Sequence, residues 1–158
     1  QHRGPRPSSG SGRKRGTPRQ GLGRSRGGFT TKIHLRVNAA GLPMRTEITP
    51  GQTSDYLGFD LVMADNLPEP SVLLADRGYD SDKVRKTMEA RDVVPVIPMR
   101  KTRRLRVAVD RKLYRLRNLV ERCFNRLKNA RRVATRYDRC PIVFFSAVAL
   151  AATVIFWL

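Results

Sequence analysis

Only one large aliphatic side chain, Leu22, falls within the first 28 residues, so any core this 158-residue chain builds must come from the remainder. The opening stretch carries eight Arg or Lys, eight Gly, three Pro and no acid. Such a composition cannot bury enough apolar surface to offset its own ordering entropy. Residues 1–28 are therefore expected to form a disordered basic arm, either a phosphate-gripping tail or a solvated linker. Residues 29–158 are expected to fold as one compact domain. Over the whole chain 32 Lys and Arg stand against 13 Asp and Glu, a formal charge of +19. A polyanion would relieve that self-repulsion, and nucleic acid is the expected partner ahead of acidic lipid or ribosomal and histone-like packing. Cys123 and Cys140 have no neighbours at zinc-ligand spacing, which argues against a structural zinc or a disulfide framework and fits a reducing cytoplasm. The chain begins with Gln and has no apolar leader, which suggests a fragment without a signal peptide.

From Thr30 the pattern alternates, with Ile33, Leu35 and Val37 on one face and Lys32, His34 and Arg36 on the other. With turn formers at Asn38 to Gly41 and a return over Met44 to Thr49, this predicts a β-hairpin. His34, among the polar alternates, is expected at the surface or hydrogen-bonded rather than on a metal. Leu57, Leu61, Val62 and Ala64 predict a helix to about Asn66, capped by Ser54 or Asp55. The unbroken apolar run Ser71 to Ala75 reads as a strand buried on both faces, with Asp76 at its exit. A second helix over Lys83 to Ala90, capped by Asp80, Ser81 or Asp82, and an edge strand over Val93 to Ile97 follow. The linker Pro98 to Arg106 holds five Arg and Lys, suiting either a solvated loop or contacts to DNA.

A long helix is predicted over Leu113 to Arg132. At about 100° per residue, Tyr114, Arg117, Glu121, Asn125 and Lys128 share one face, and Leu116, Leu119, Val120, Cys123 and Leu127 the opposite one. The 17 uncharged positions Ile142 to Leu158 allow a membrane tail anchor, but a terminal helix packed into the core is preferred, and no membrane is expected.

A carboxylate leaving an apolar strand, as Asp76 does, sits where open α/β sheets bind ligands. Glu121, on a helix with a buried opposite face, could be held against the same sheet. Converging carboxylates are the hard oxygen ligands that Mg2+ requires, and a two-metal site activates the attacking and stabilises the leaving oxygen in phosphodiester chemistry. Lys128, two turns beyond Glu121, could neutralise a phosphate oxygen. The same spacing equally describes an ordinary ion-paired surface, with Arg117 and Lys128 satisfying Glu121.

The run Tyr114, two residues, Arg117, three residues, Glu121, six residues, Lys128 resembles the Tyr-Arg-Glu-Lys signature of DDE-type insertion-sequence transposases of the insertion sequence four/five-like group. The segments from Gly23 to His34, with Arg24, Arg26 and Lys32, and from Ala75 to Ser81 are similar to the same family. The resemblance implies an α/β, ribonuclease-H-like fold, a mixed sheet flanked by helices, in which three carboxylates bind two Mg2+ or Mn2+ ions. It implies that Asp76 and Glu121 are catalytic and metal-binding. Tyr114, Arg117, Lys128, Arg24, Arg26 and Lys32 would contact double-stranded DNA at transposon ends and target. The family's first Asp lies on a strand upstream of the Gly-Arg-Ser-Arg-Gly-Gly segment, and residues 1–28 contain no acid. The expectation is thus a domain truncated at its N-terminus with the first strand missing, either joined to an upstream open-reading-frame product by frameshifting or decayed. Expected partners also include further copies of the chain, and the expected location is the cytoplasm, at the nucleoid. The rival functions are a non-catalytic DNA-binding regulator and, less favoured, a tail-anchored membrane protein.

Overall fold

The computed structural model describes residues 21–25, 28–63, 66–104 and 107–158. Strands β1 (Gly23–Ser25), β2 (Gly28–Val37) and β3 (Pro43–Pro50) form an antiparallel sheet in that order. The folded part thus begins before residue 29, because Gly23, Arg24 and Ser25 pair with Thr30, Phe29 and Gly28. The boundary expected at 28 is too late, and residues 1–20 lie outside the described ones. The predicted hairpin is present. Asn38 Oδ1 accepts from the amides of Ala40 and Leu42, both at 3.0 Å, and Gly41 takes a left-handed φ of 78°, which glycine adopts without a Cβ penalty.

The helix expected to run to about Asn66 is instead a 3-10 turn over Asp55–Gly58 followed by a single turn, α1 (Phe59–Val62). Neither expected cap acts. Ser54 makes no side-chain capping bond, and the Asp55 carboxylate is engaged by Lys32 Nζ at 2.8 Å. Strand β4 (Val72–Leu74) pairs in parallel with β5 (Val94–Val96) through the crossover helix α2 (Asp82–Glu89). Ser81 caps α2, accepting from the Val84 amide at 3.2 Å. Strand β4 is only half-buried, contrary to the expectation of a strand covered on both faces.

The helix predicted over Leu113 to Arg132 is broken into α3 (Arg111–Arg115), α4 (Asn118–Lys128) and α5 (Arg131–Ala134). Between α3 and α4 the amides of Leu116, Arg117, Leu119 and Val120 bond to carbonyls three residues back, a tightened 3-10 stretch that shifts the angular phase of everything upstream. Cys123 and Leu127 are buried as expected, whereas Leu116 is 53% exposed. The terminal helix α6 (Pro141–Trp157) starts with Pro at its first position. It buries Phe144, Val148 and Ala152, one stripe at four-residue spacing, and leaves Ile142, Leu150, Val154 and Trp157 exposed. No helix among the described residues is long and apolar enough to cross a membrane.

Two apolar clusters result. One joins α1, α2 and β5 through Phe59, Val62, Val84, Met88 and Ile97. The other joins α4, α5 and α6 to the Ile33, Leu35 and Val37 face of β2. The molecule is α/β, with strands of mixed sense and helices on both sides, but its strands fall into two separate sheets among the described residues.

Candidate functional site: two carboxylates on one guanidinium

Asp76 follows β4 and opens the 3-10 turn Arg77–Tyr79, placing its carboxylate at the carboxyl-terminal edge of the parallel pair. Glu121 lies in the first turn of α4, where the positive end of the helix dipole favours a carboxylate. Arg117 bridges them, with Nη1 donating to Asp76 Oδ1 at 2.8 Å and Nη2 to Glu121 Oε1 at 2.6 Å. The two acids, 45 residues apart in sequence, therefore meet around a single guanidinium. Burial opposes the charge on Arg117, but its hydrogen bond to Glu121 and the field of Asp76 outweigh it and hold the guanidinium above its usual pKa. The Tyr114 ring lies 5.4 Å from the same guanidinium carbon. Arg117 Nε is buried with no partner among the described residues.

The other predicted residues are placed less uniformly. Lys128 is exposed at the end of α4, on the order of 10 Å along the axis from Glu121 at 1.5 Å per residue. Lys32 is tied to Asp55 and donates to the Thr53 carbonyl at 2.6 Å, so its ammonium is already engaged. Arg24 leaves β1 exposed, with its guanidinium 6.0 Å from the Phe29 ring centre. Arg26 lies outside the described residues.

Sequence reasoning missed the framework beneath the site. His34 is buried, with Nδ1 2.9 Å from Tyr79 Oη and Nε2 2.8 Å from Thr49 Oγ1. Burial lowers its pKa, with Asp55 opposing and Lys32 reinforcing, which keeps the ring neutral as a structural clasp between β2, β3 and the turn after Asp76. Asp80, expected as one of three cap choices, is a buried hub. It accepts from Arg85 Nε at 2.9 Å, Arg103 Nε at 3.2 Å and the Arg100 amide at 2.7 Å. Burial alone would raise the Asp80 pKa, but the Arg100 amide and the Arg85 and Arg103 guanidinium bonds together hold it below the usual carboxylate range. Arg100 also donates to the Gly78 carbonyl at 2.8 Å. The basic loop after β5 is thereby fastened to the turn that carries Asp76, with Lys101 and Arg104 exposed. The only sequence signal for this hub was the density of Arg on the loop.

A divalent cation fits the donor set in part. Asp76 and Glu121 each use one oxygen on Arg117, so the second oxygen of each has no protein partner among the described residues. No cluster of three or more metal-ligating side chains occurs among the described residues.

Residues 3–157 match the transposase DDE domain family. The chain is similar to a Brucella ovis protein assigned as a transposase for insertion sequence element IS6501, with 34% identity over 134 residues, 82% of this chain and 99% of that protein. A Burkholderia cepacia protein assigned as a transposase for IS402 is 31% identical over 83 residues, 46% of this chain and 39% of that one. No solved structure matches. A family match along nearly the full length, together with two widely separated acids meeting on one arginine, leads to one conclusion: the chain belongs to the transposase DDE domain family.

Proposed function

We propose that this chain is the portion of an insertion-sequence transposase that supplies two of the metal-binding carboxylates, Asp76 and Glu121, and that it is incomplete as a catalyst alone. The observation that carries this reading is the placement of both acids on Arg117. A ribonuclease-H-like arrangement is the fold we infer, supported by the family match and by strands of mixed sense between helical layers. Asp76 and Glu121 would hold Mg2+ or Mn2+ through their free oxygens, and the bound ions would supply activation of water and charge neutralisation during phosphodiester cleavage and strand transfer. Arg117 balances the two negative charges until such ions are present and then becomes a donor for a phosphate oxygen. Tyr114 holds the guanidinium in place from its open side. Lys128, the exposed Lys101 and Arg104, and Arg24 and Arg26 would grip the DNA backbone of element ends and target. Action on chromosomal DNA would place the protein at the nucleoid, in an assembly with further copies or with the product of an upstream frame.

The test has two parts. The isolated chain should bind duplex DNA with an affinity that falls steeply with salt, yet cleave no transposon end in Mg2+. A form completed by a third carboxylate should cleave, and Glu121→Ala should abolish that cleavage. Full cleavage by the Glu121→Ala form would remove Glu121 from the chemistry. A non-catalytic DNA-binding regulator is the second reading, favoured by the lack of any three-carboxylate cluster among the described residues. It predicts DNA binding without cleavage in every form.

A further inference from the structure

Helix α6 is apolar on every side. Its 17 residues carry no charge, and Phe144, Val148 and Ala152 bury one stripe against α4 and α5. At about 100° per residue, Ile142, Val143, Leu150, Val154 and Trp157 fall in an arc of roughly 120° centred opposite Val148. Each is about half exposed or more, from 46% at Val143 to 73% at Ile142. The hydroxyls in that arc add little polarity, since Thr153 donates its own to the Ala149 carbonyl at 3.0 Å and is satisfied within the helix. A helix that is hydrophobic all round belongs inside a larger body, and a soluble monomer rarely exposes a contiguous apolar patch beyond a few hundred Å².

Charge and place limit what can cover this face. A chain of formal charge +19 meets nucleic acid through its cations, and the arc has none, so DNA does not fit it. No residue lining the cavity of about 860 Å³ between β2 and β4 belongs to α6, so whatever completes the sheets there leaves the arc open. Residues 1–20 contain no large apolar side chain with which to cover it. A second copy of the chain does bring a matching surface, an equally uncharged arc of the same length. Antiparallel pairing of the two helices also suits the charges at their ends. Arg139, exposed just ahead of α6, would reach the carbonyl end of the other copy's helix, whose last turn has no basic residue and whose dipole attracts a cation. The two Arg139 side chains would stand on the order of 25 Å apart at 1.5 Å per residue, whereas parallel pairing would crowd them together.

We propose that the outward face of α6 is a self-association surface, on which two copies of this chain pair antiparallel about a two-fold axis beside Leu150. Leu150 lies close to the midpoint between Ile142 and Trp157, so it meets its own counterpart at the axis, as isologous contact requires. The small side chains of Ser146, Ala149 and Thr153 around it leave the hollow that a leucine knob enters. Trp157 of each copy covers Ile142 and Val143 of the other. Two patches on the order of 500 Å² each together bury about 1,000 Å², the size at which a specific interface begins. The contact supplies a surface for the further copies that the transposase reading calls for, but it stands on α6 alone.

The test is sedimentation equilibrium of the 158-residue chain in salt high enough to screen its charge, with circular dichroism as the control for folding. The wild type should show a concentration-dependent mass that tends to twice that of the chain. The emission of Trp157, the chain's single tryptophan, should move to the blue over the same range. Leu150→Glu and Leu150→Lys should each weaken association about tenfold or more, since like charges juxtaposed at an interface repel, and mixing the two variants should restore it. Leu57→Glu, at an exposed apolar position elsewhere, should leave it unchanged. A monomer at every concentration, association that survives Leu150→Glu, equal loss with Leu57→Glu, or no rescue on mixing would overturn the proposal. Uptake of the wild type by uncharged phospholipid vesicles in place of dimer formation would overturn it in favour of a lipid surface. Binding to duplex DNA keeps the two readings apart. A dimer that binds no DNA refutes the transposase reading and leaves the α6 contact standing, and a monomer that binds DNA does the reverse.

Discussion

Replacing Asp80 by Asn should be among the most damaging single changes in the molecule. The Asp80 side chain is 1% exposed and serves three donors, the guanidinium groups of Arg85 and Arg103 and the Arg100 amide. Asn keeps one carbonyl oxygen but turns an NH2 toward groups that can only donate, and it leaves Arg85, whose side chain is 6% exposed, without its counter-charge. Removing one partner of a buried ion pair costs about 3–5 kcal/mol. Against a total of about 5–15 kcal/mol for a domain, that is about a fifth or more of the stability. At roughly 2–4 °C per kcal/mol for a chain of this size, the melting temperature should fall by about 6–20 °C.

The assay is equilibrium urea unfolding of the wild type, Asp80→Asn, Arg85→Met and the double variant. The double variant removes the orphaned charge of Arg85, so it should cost less than the two single changes summed, by about 1–3 kcal/mol. Because the folded-state pKa of Asp80 is depressed, its stabilisation is complete above the unfolded value of about 3.9 and is lost as pH falls through the lower folded value. The wild type should therefore lose its advantage over Asp80→Asn in strong acid. A loss under about 1 kcal/mol at neutral pH, or strict additivity of the two changes, would refute the hub.

Four further outcomes follow from other parts of the fold. A Cβ on Gly58 would run into the buried His34 ring, so Gly58→Ala should cost about 1–3 kcal/mol by overpacking, whereas Gly78→Ala meets chiefly the movable Asp55 carboxylate and should cost less in the same urea titration. The folded-state pKa of His34 is lowered, so its contribution is full above its unfolded value of about 6.5 and should decline as pH falls below that; a His34→Gln variant should show a flatter stability profile between pH 7 and 5. Burial raises the Cys123 thiol to about 11 while Cys140 is exposed, so a thiol reagent should titrate one cysteine in the native chain and two in denaturant. Lys101→Ala with Arg104→Ala should reduce the slope of log affinity for DNA against log salt by about two, one for each phosphate no longer gripped, and an unchanged slope would exclude the loop from the interface.

How far the sequence disclosed this structure depends on the range over which each residue finds its partners. The β2–β3 hairpin was legible because its alternation and its turn chemistry are local, and one face of β2 does meet helices. The burial of β4 was misjudged because an apolar run reports what a strand would like to cover it, and here one edge and part of a face look onto a cavity. The break at Leu116 and Arg117 left no mark in the apolar pattern, since no Pro or Gly interrupts it. A shared site for Asp76 and Glu121 was expected from the family resemblance and not from spacing, which equally described an ion-paired surface; both acids do pair with Arg117. The Asp80 hub was not foreseen, because its partners Arg100 and Arg103 lie 20 and 23 residues away among many arginines of equal claim.

The ion pairs on Arg117 can be weighed as structure or as a site held ready. Asp76 and Glu121 are 59% and 55% exposed at their side chains, and ion pairs that exposed contribute about 0–1 kcal/mol each. A contact that weak cannot be what shapes the tightened turn between α3 and α4 for stability alone, and Lys or Gln at 117 would leave the surface nearly as stable. What the weak pairs do achieve is to gather two carboxylates on one guanidinium, each using one oxygen. A divalent cation present at about a hundred times its dissociation constant gains about 2.7 kcal/mol, enough to displace pairs that weak. The guanidinium would then be released toward the phosphate that such ions bring, still attached at its Tyr114 side. The arrangement is therefore too weak to be a fastening, and under the proposed transposase reading it would give way to a bound cation.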